Sequence, residues 1–208
     1  MEKYIKDKLD ILKEAGSIAA CYGSSALSDF IKSKIILNPP LTDIIHLKTV
    51  PPSIKIDKVG VAIFSCLSVG LKGEVIFILD ENNAYNLIDL VYNTGTEEKK
   101  KLGLLTEMGI SIMKELGNMV IGSYSTALSL TLNRMIVPPL PTLISGSMEY
   151  VLDFIFSPYS EDEFRYLIQS VFSIPECNIE GYLCLILPAE SVQDIKDTCK
   201  RMLEDMSK

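Results

Sequence analysis

Residues 10–40 recur without a gap 101 positions later in the same chain. DILKEAGSIAACYGSSALSDFIKSKIILNPP, from Asp10 to Pro40, aligns with SIMKELGNMVIGSYSTALSLTLNRMIVPPLP, from Ser111 to Pro141. About ten positions are identical, among them Lys13/Lys114, Glu14/Glu115, Gly16/Gly117, the Ala-Leu-Ser triplets and Pro40/Pro141. A match that keeps polar identities together with a closing proline points to a duplicated half. The continuations run in parallel: GEVIFILDENNAYNLIDLVYN from Gly73, and GYLCLILPAESVQDIKDTCKRML from Gly181. Each reads as a short buried strand, a polar break and an amphipathic helix, with Asp80 and Ser191 as helix-start residues. Lys58–Leu67 and Met148–Phe156 read as further strands, the second from a partial alternation of Met148, Tyr150 and Leu152. The aromatic and β-branched residues of Glu163–Ser173 favour strand over helix.

The expected organisation is therefore one domain over 1–208 made of two repeats, about 8–93 and about 104–205. A charged, Gly-punctuated connector, TGTEEKKKLG at 94–103, joins them. Two helix–strands–helix halves side by side predict an α+β fold with pseudo-twofold symmetry.

Composition narrows the partners. At 208 residues and 48% hydrophobic the chain is long and apolar enough to bury a core, and disorder is excluded. A formal net charge of −7 spread over the length argues against nucleic acid, whose phosphates demand clustered Lys and Arg, and against anionic lipid. The longest apolar stretch, Val59–Leu71, falls short of the roughly 20 residues a bilayer span needs. MEKYIKDKLD at the start lacks the apolar centre of a signal peptide. Five cysteines, an odd number with no CxxC, fit reduced thiols rather than a disulfide framework or a metal site. A soluble cytoplasmic protein with no membrane insertion is expected, and the internal symmetry makes a monomer sufficient.

In the second repeat Ile112, Met113, Leu116, Met119 and Val120 recur on one helix face, which should be buried. Ser111, Glu115 and Asn118 lie on the other side, within roughly a 60° arc at 100° per residue, and form one polar ridge. The first repeat repeats the arrangement with Asp10, Glu14 and Ser17 opposite Ile11, Leu12, Ala15 and Ile18. An ordinary solvated helix face explains any single Glu here. Two details weigh against it: Asn is a poor helix former set inside a helix, and Glu with its surroundings recurs in both copies.

Ser111-x3-Glu115-x2-Asn118-x22-Pro141 resembles the signature of the CheC/CheX/FliY phosphatases of chemotaxis. Asp10-x3-Glu14-x2-Ser17-x22-Pro40 matches it everywhere but the asparagine. Length and internal duplication are closest to CheC, since CheX is usually shorter and FliY carries an extra C-terminal domain. The resemblance implies an antiparallel sheet packed with the motif-bearing helices. It also implies hydrolysis of the aspartyl phosphate of the response regulator CheY in two-component signalling. In that family's terms Asn118 orients the attacking water and Glu115 engages a lysine of the regulator; Ser111 and Pro141 support the motif. Mg2+ belongs to the regulator, so no cofactor or metal of this chain's own is expected. The receptor deamidase CheD is a further partner the resemblance brings, with Ser191–Leu203 as its candidate face. Ser17 reaches about one bond less far than Asn, so the first site is expected to be degenerate. The rival reading is a non-catalytic binding protein of the chemotaxis or flagellar switch apparatus.

Other features carry less. His46 has no Ser, Cys or Asp partner that the sequence singles out, so it reads as a structural or surface residue rather than a catalytic one. Cys21 reads as packing, and Met108, Met113 and Met119 as core filler. The small residues Gly122, Ser123, Ser125, Thr126 and Ala127, with their counterparts in Cys21–Ala26, suggest close helix approach. Glu97–Lys101 reads as a solvated run.

Overall fold

In the computed structural model residues 2–47, 49–56, 59–92, 106–159 and 163–206 are described. Chain order is α1 (Glu2–Ile31), β1 (Ile36–Leu37), β2 (Leu41–His46), β3 (Gly60–Leu67), β4 (Gly73–Asp80) and α2 (Glu81–Tyr92). Then come α3 (Glu107–Thr131), β5 (Thr142–Gly146), α4 (Met148–Phe156), β6 (Phe164–Ile174), β7 (Ile179–Leu187) and α5 (Ala189–Met206). The fold is α+β. The strands form one antiparallel sheet in the order β1-β6-β7-β4-β3-β5, with β2 also on the outer edge of β6. The expected connector at 94–103 lies outside the described residues.

Alternate residues of the central strands face two cores. Val61, Ile63, Val75, Phe77 and Leu79 meet α1, α2, α3 and α5 on one side of the sheet. Ala62, Phe64, Ile76 and Ile78 meet α4 and the segment around Leu47 and Ile54 on the other. With both faces covered, β3 and β4 read as near-continuous apolar runs, the pattern of strands without a solvent side.

The two halves are interlaced rather than side by side. The strand that follows Pro40, β2, pairs with β6 of the other half, Leu41 opposite Gln169 through His46 opposite Phe164. The strand that follows Pro141, β5, pairs with β3, Gly60 opposite Gly146 through Phe64 opposite Thr142. The preceding helices cross over likewise, α1 onto β6 and α3 onto β3, where a Cβ added to Gly16 or Gly117 would run into Ile168 or Ile63. A helix lying over the other half's outer strand delivers the chain to that strand's open edge, where unpaired backbone groups await a partner. Both helices end alike, with Lys32 at φ 55° and Asn133 at φ 47°. Such left-handed residues turn the chain out of a helix. The hydroxyls of Ser28 and Ser129 then hold the departing chain through Ser28 Oγ to the Ser33 carbonyl (2.8 Å) and Ile136 N–H to Ser129 Oγ (3.0 Å).

Two expected elements change. Met148–Phe156 is α4, not a strand: Ser147 caps it, accepting from Tyr150 N–H at 3.2 Å, and its buried residues are Met148, Val151, Leu152, Ile155 and Phe156. That spacing is helical, and the apparent alternation used Tyr150, which is exposed. Ser191 does not start α5. Pro188 supplies the carbonyl that opens the helix, and Ser191 Oγ instead donates to the Lys72 carbonyl at 2.8 Å, tying α5 to the β3–β4 turn. Asp80 does act at a helix start, accepting from Asn83 N–H at 2.7 Å.

One carboxyl is buried at the end of the sheet. Glu74 is 1% exposed, its Oε1 accepts from the Tyr159 hydroxyl at 2.5 Å, and Arg165 lies 4.6 Å over the Tyr159 ring. Burial pushes the Glu74 pKa up, more than the Tyr159 hydrogen bond and the Arg165 charge pull it down.

Interlacing predicts that fragments 1–93 and 104–208 made separately show no cooperative unfolding by circular dichroism, whereas their mixture does. A cooperative transition in either fragment alone would contradict the crossed pairing. The raised Glu74 pKa means that the folded state holds its proton more tightly. Stability from this group is therefore full below the carboxylate range, falls as pH rises through the raised value, and stays low above it. Glu74→Gln keeps an acceptor for Tyr159 and is expected to melt higher than wild type at pH 7. The expected gain is roughly 2–4 °C, the shift 1 kcal/mol brings at this size. The gap should close as pH falls towards the carboxylate range in a melting series.

Candidate functional site

The helix that carries Ser111, Glu115 and Asn118 is fixed at its ends and along one face. Thr106 caps α3, its Oγ1 accepting from Gly109 N–H at 3.1 Å, and Glu107 adds a negative charge to the first turn. Ile112, Met113, Leu116 and Val120 are buried, and Met119 is half-buried against the same core. Gly117 brings the backbone down on β3: a Cβ there would lie 2.3 Å from Ile63 Cγ2. Neighbouring α1 approaches closely as well, since a Cβ on Gly23 would sit 3.3 Å from the Val120 carbonyl oxygen.

Opposite that face, Ser111, Glu115 and Asn118 are all exposed. Among the described residues the Glu115 and Asn118 side chains have no hydrogen-bond or ion-pair partner. The Ser111 hydroxyl is engaged, donating to the Glu107 carbonyl at 2.9 Å within its own helix. Pro141 is half-buried at the entry to β5, on a segment that β3 holds through Ser65 Oγ and the Pro139 carbonyl at 3.0 Å. The ridge thus brings together Ser111, Glu115 and Asn118, and Pro141 directs the following strand.

The first copy has the same mount with different chemistry on it. Asp10 and Glu14 are exposed, Ser17 is half-buried, and Pro40 is buried just before β2. Ile18, expected on the buried face, is 36% exposed, because α1 turns that edge away from the sheet. Cys21 is exposed, not packed, and stands on the ridge itself. Met108, in the first turn of α3, is also exposed, whereas Met113 is fully buried. His46 sits on β2, edge-on to Phe164 at 5.3 Å. The ridge continues past Asn118 to Gly122, which the 101-residue offset pairs with Cys21.

Chemically, Glu115 and Asn118 offer a carboxylate and, one helical step on, a neutral amide that both donates and accepts. Such a pair binds and orients. Among the described residues no three His, Cys, Asp or Glu side chains gather in a way that would hold a metal ion. Nor is any described helix long and apolar enough to cross a membrane.

Comparison with known proteins falls on this helix. The pattern of the CheC-like family matches residues 108–142, which cover most of α3 and the path to β5. The CheY-P phosphatase CheC of Bacillus subtilis is 28% identical over 137 residues, a match spanning 65% of this chain and 65% of that protein. Thermotoga maritima FliY superposes with a TM-score of 0.73 at 20% identity, over 94% of this chain and 96% of that one. The middle domain of FliM from H. pylori gives 0.66 at 13% identity, over 93% and 98%. CheX from the Borrelia burgdorferi CheX–CheY–BeF3–Mg2+ complex gives 0.54 at 20% identity, over 84% and 96%. These structures share the fold.

The geometry at Gly117 predicts that Gly117→Ala destabilises by about 1–3 kcal/mol, the usual cost of forcing a methyl into a filled core. Shortening Ile63 in the same chain should recover part of the loss. Strict additivity of the two substitutions in urea unfolding would show that the contact does not set the height of α3.

Proposed function

We propose that this chain, a member of the CheC-like family, hydrolyses the aspartyl phosphate of the response regulator CheY. The observation that carries the reading is Asn118: exposed, unpartnered among the described residues, and mounted on a helix whose other face is locked into the core. Phosphoryl transfer asks little covalent work of a protein, so positioning and electrostatics supply the acceleration. The Asn118 carboxamide holds a water in line with the phosphorus, accepting its hydrogen bond through Oδ1. As a neutral group it does not repel the phosphoryl oxygens. Glu115, one turn back, holds the regulator by pairing with a lysine beside its phosphorylation site, and so fixes the register of the amide. Mg2+ held by the regulator would neutralise phosphoryl charge, and the reading assigns this chain no metal of its own. Acting on CheY places the protein in the cytoplasm.

The similarity to the B. subtilis phosphatase and the retention of both Glu and Asn on the second ridge support this reading. A second reading, binding without hydrolysis, is favoured by the first ridge, which keeps Glu14 but has Ser17 where the amide would be. In the primary reading that ridge is silent, because water held at Ser17 lies too near the helix. A misplacement of about 1 Å costs on the order of 100-fold.

Decay of phosphorylated CheY distinguishes them. Wild type is expected to accelerate the decay, Asn118→Ala to lose about 100-fold of that acceleration, and Ser17→Ala to lose none. Tight binding with no acceleration by wild type would leave the chain as a binding protein.

A further inference from the structure

Beyond the two motif residues, the ridge of α3 has a bare position. Ser111, Glu115, Asn118 and Gly122 are spaced four, three and four apart, so Gly122 falls inside the same roughly 60° arc, one turn past the amide. A Cβ built on Gly122 would meet no atom within 4 Å. Gly16, Gly23 and Gly117, by contrast, press against β6, α1's helix neighbour and β3. Packing within the chain therefore does not require glycine here, and in a helix interior glycine is the least favourable residue after proline. The offset of 101 puts Cys21 at the equivalent place on α1. Cys21 is exposed, so the degenerate ridge carries a side chain standing out beside Ser17 where the intact ridge is open beside Asn118.

We propose that Gly122 is a clearance position: the absent side chain lets the surface of the phosphorylated partner seat closely enough on α3 for Asn118 to reach the phosphoryl group. This rests on the phosphatase reading and adds a specificity determinant to it. It also accounts for the first ridge failing twice, through a short hydroxyl at Ser17 and through the side chain of Cys21.

The test is Gly122→Leu in the full chain, with Gly122→Ala alongside, assayed for decay of phosphorylated CheY, for binding to it and for thermal melting. Because the position is open, both variants are expected to fold and to melt no lower than wild type. Gly122→Leu is expected to lose on the order of 100-fold of the wild-type acceleration and Gly122→Ala much less, a graded effect that follows side-chain size. Wild-type acceleration in Gly122→Leu would overturn the clearance role while leaving the phosphatase reading intact. If wild type binds CheY without hydrolysing it, the phosphatase reading fails. Clearance then stands only if Gly122→Leu weakens that binding. A fall in melting temperature in both variants would mean that Gly122 serves packing after all, and would also overturn the proposal.

Discussion

The gap between the long helices and the sheet is set at Gly16 and Gly117, where an added Cβ would lie 2.4 Å from Ile168 Cγ2 and 2.3 Å from Ile63 Cγ2. Helix backbone resting on strand side chains at that distance leaves no room for a second layer of atoms, and the interior stays close-packed. Everything above depends on it. With α3 seated on β3, Leu116, Val120 and Ile121 fill the core and Glu115 and Asn118 are turned outward on a helix packed along its other face. The crossed strands follow from the same seating, since α1 over β6 and α3 over β3 deliver Pro40 and Pro141 to the open edges those strands present.

Periodicity made the long helices and most of the buried strands legible. The two post-proline strands were not, because β2 and β5 are short edge strands with little burial to impose alternation. Met148–Phe156 was misread because two patterns overlap there. Met148 and Leu152 satisfy both a period of two and a period of 3.6, and only Val151, Ile155 and Phe156 decide between them. Interlacing had no signal at all, for a repeat states what recurs and not which copy's edge it pairs with. At the site, the buried face of α3 and its outward ridge could be read directly. Ile18, Cys21 and Met108 were misplaced because a helix lying across a sheet buries a narrower stripe than its apolar residues suggest.

The repeat keeps the contacts that seat its helices, although other buried pairs such as Leu12/Met113 and Ala20/Ile121 have changed size. Gly16/Gly117 and Leu27/Leu128 are identical and buried in both copies. Lys32 and Asn133 differ in type but share the left-handed turn that ends each helix. The ridges keep Glu14/Glu115 but differ at Asp10/Ser111, Ser17/Asn118 and Cys21/Gly122. Substitution on a solvated helix face costs little stability, whereas a side chain added beneath the helix costs a core rearrangement. Chemistry on one ridge can therefore lapse while the fold that carried it persists.

That persistence has a structural cause. In a side-by-side duplication the half whose ridge lacks the asparagine would be free to go. Here α3 rests on β3, and β5 completes its sheet against β3, so the intact ridge stands on strands contributed by the half whose own ridge is altered. The first half contributes the floor on which Asn118 is held. On the reading proposed above, in which the amide holds one water in line, a rigid floor matters more than a second reactive group, because the amide gains nothing from proximity that its mount does not preserve.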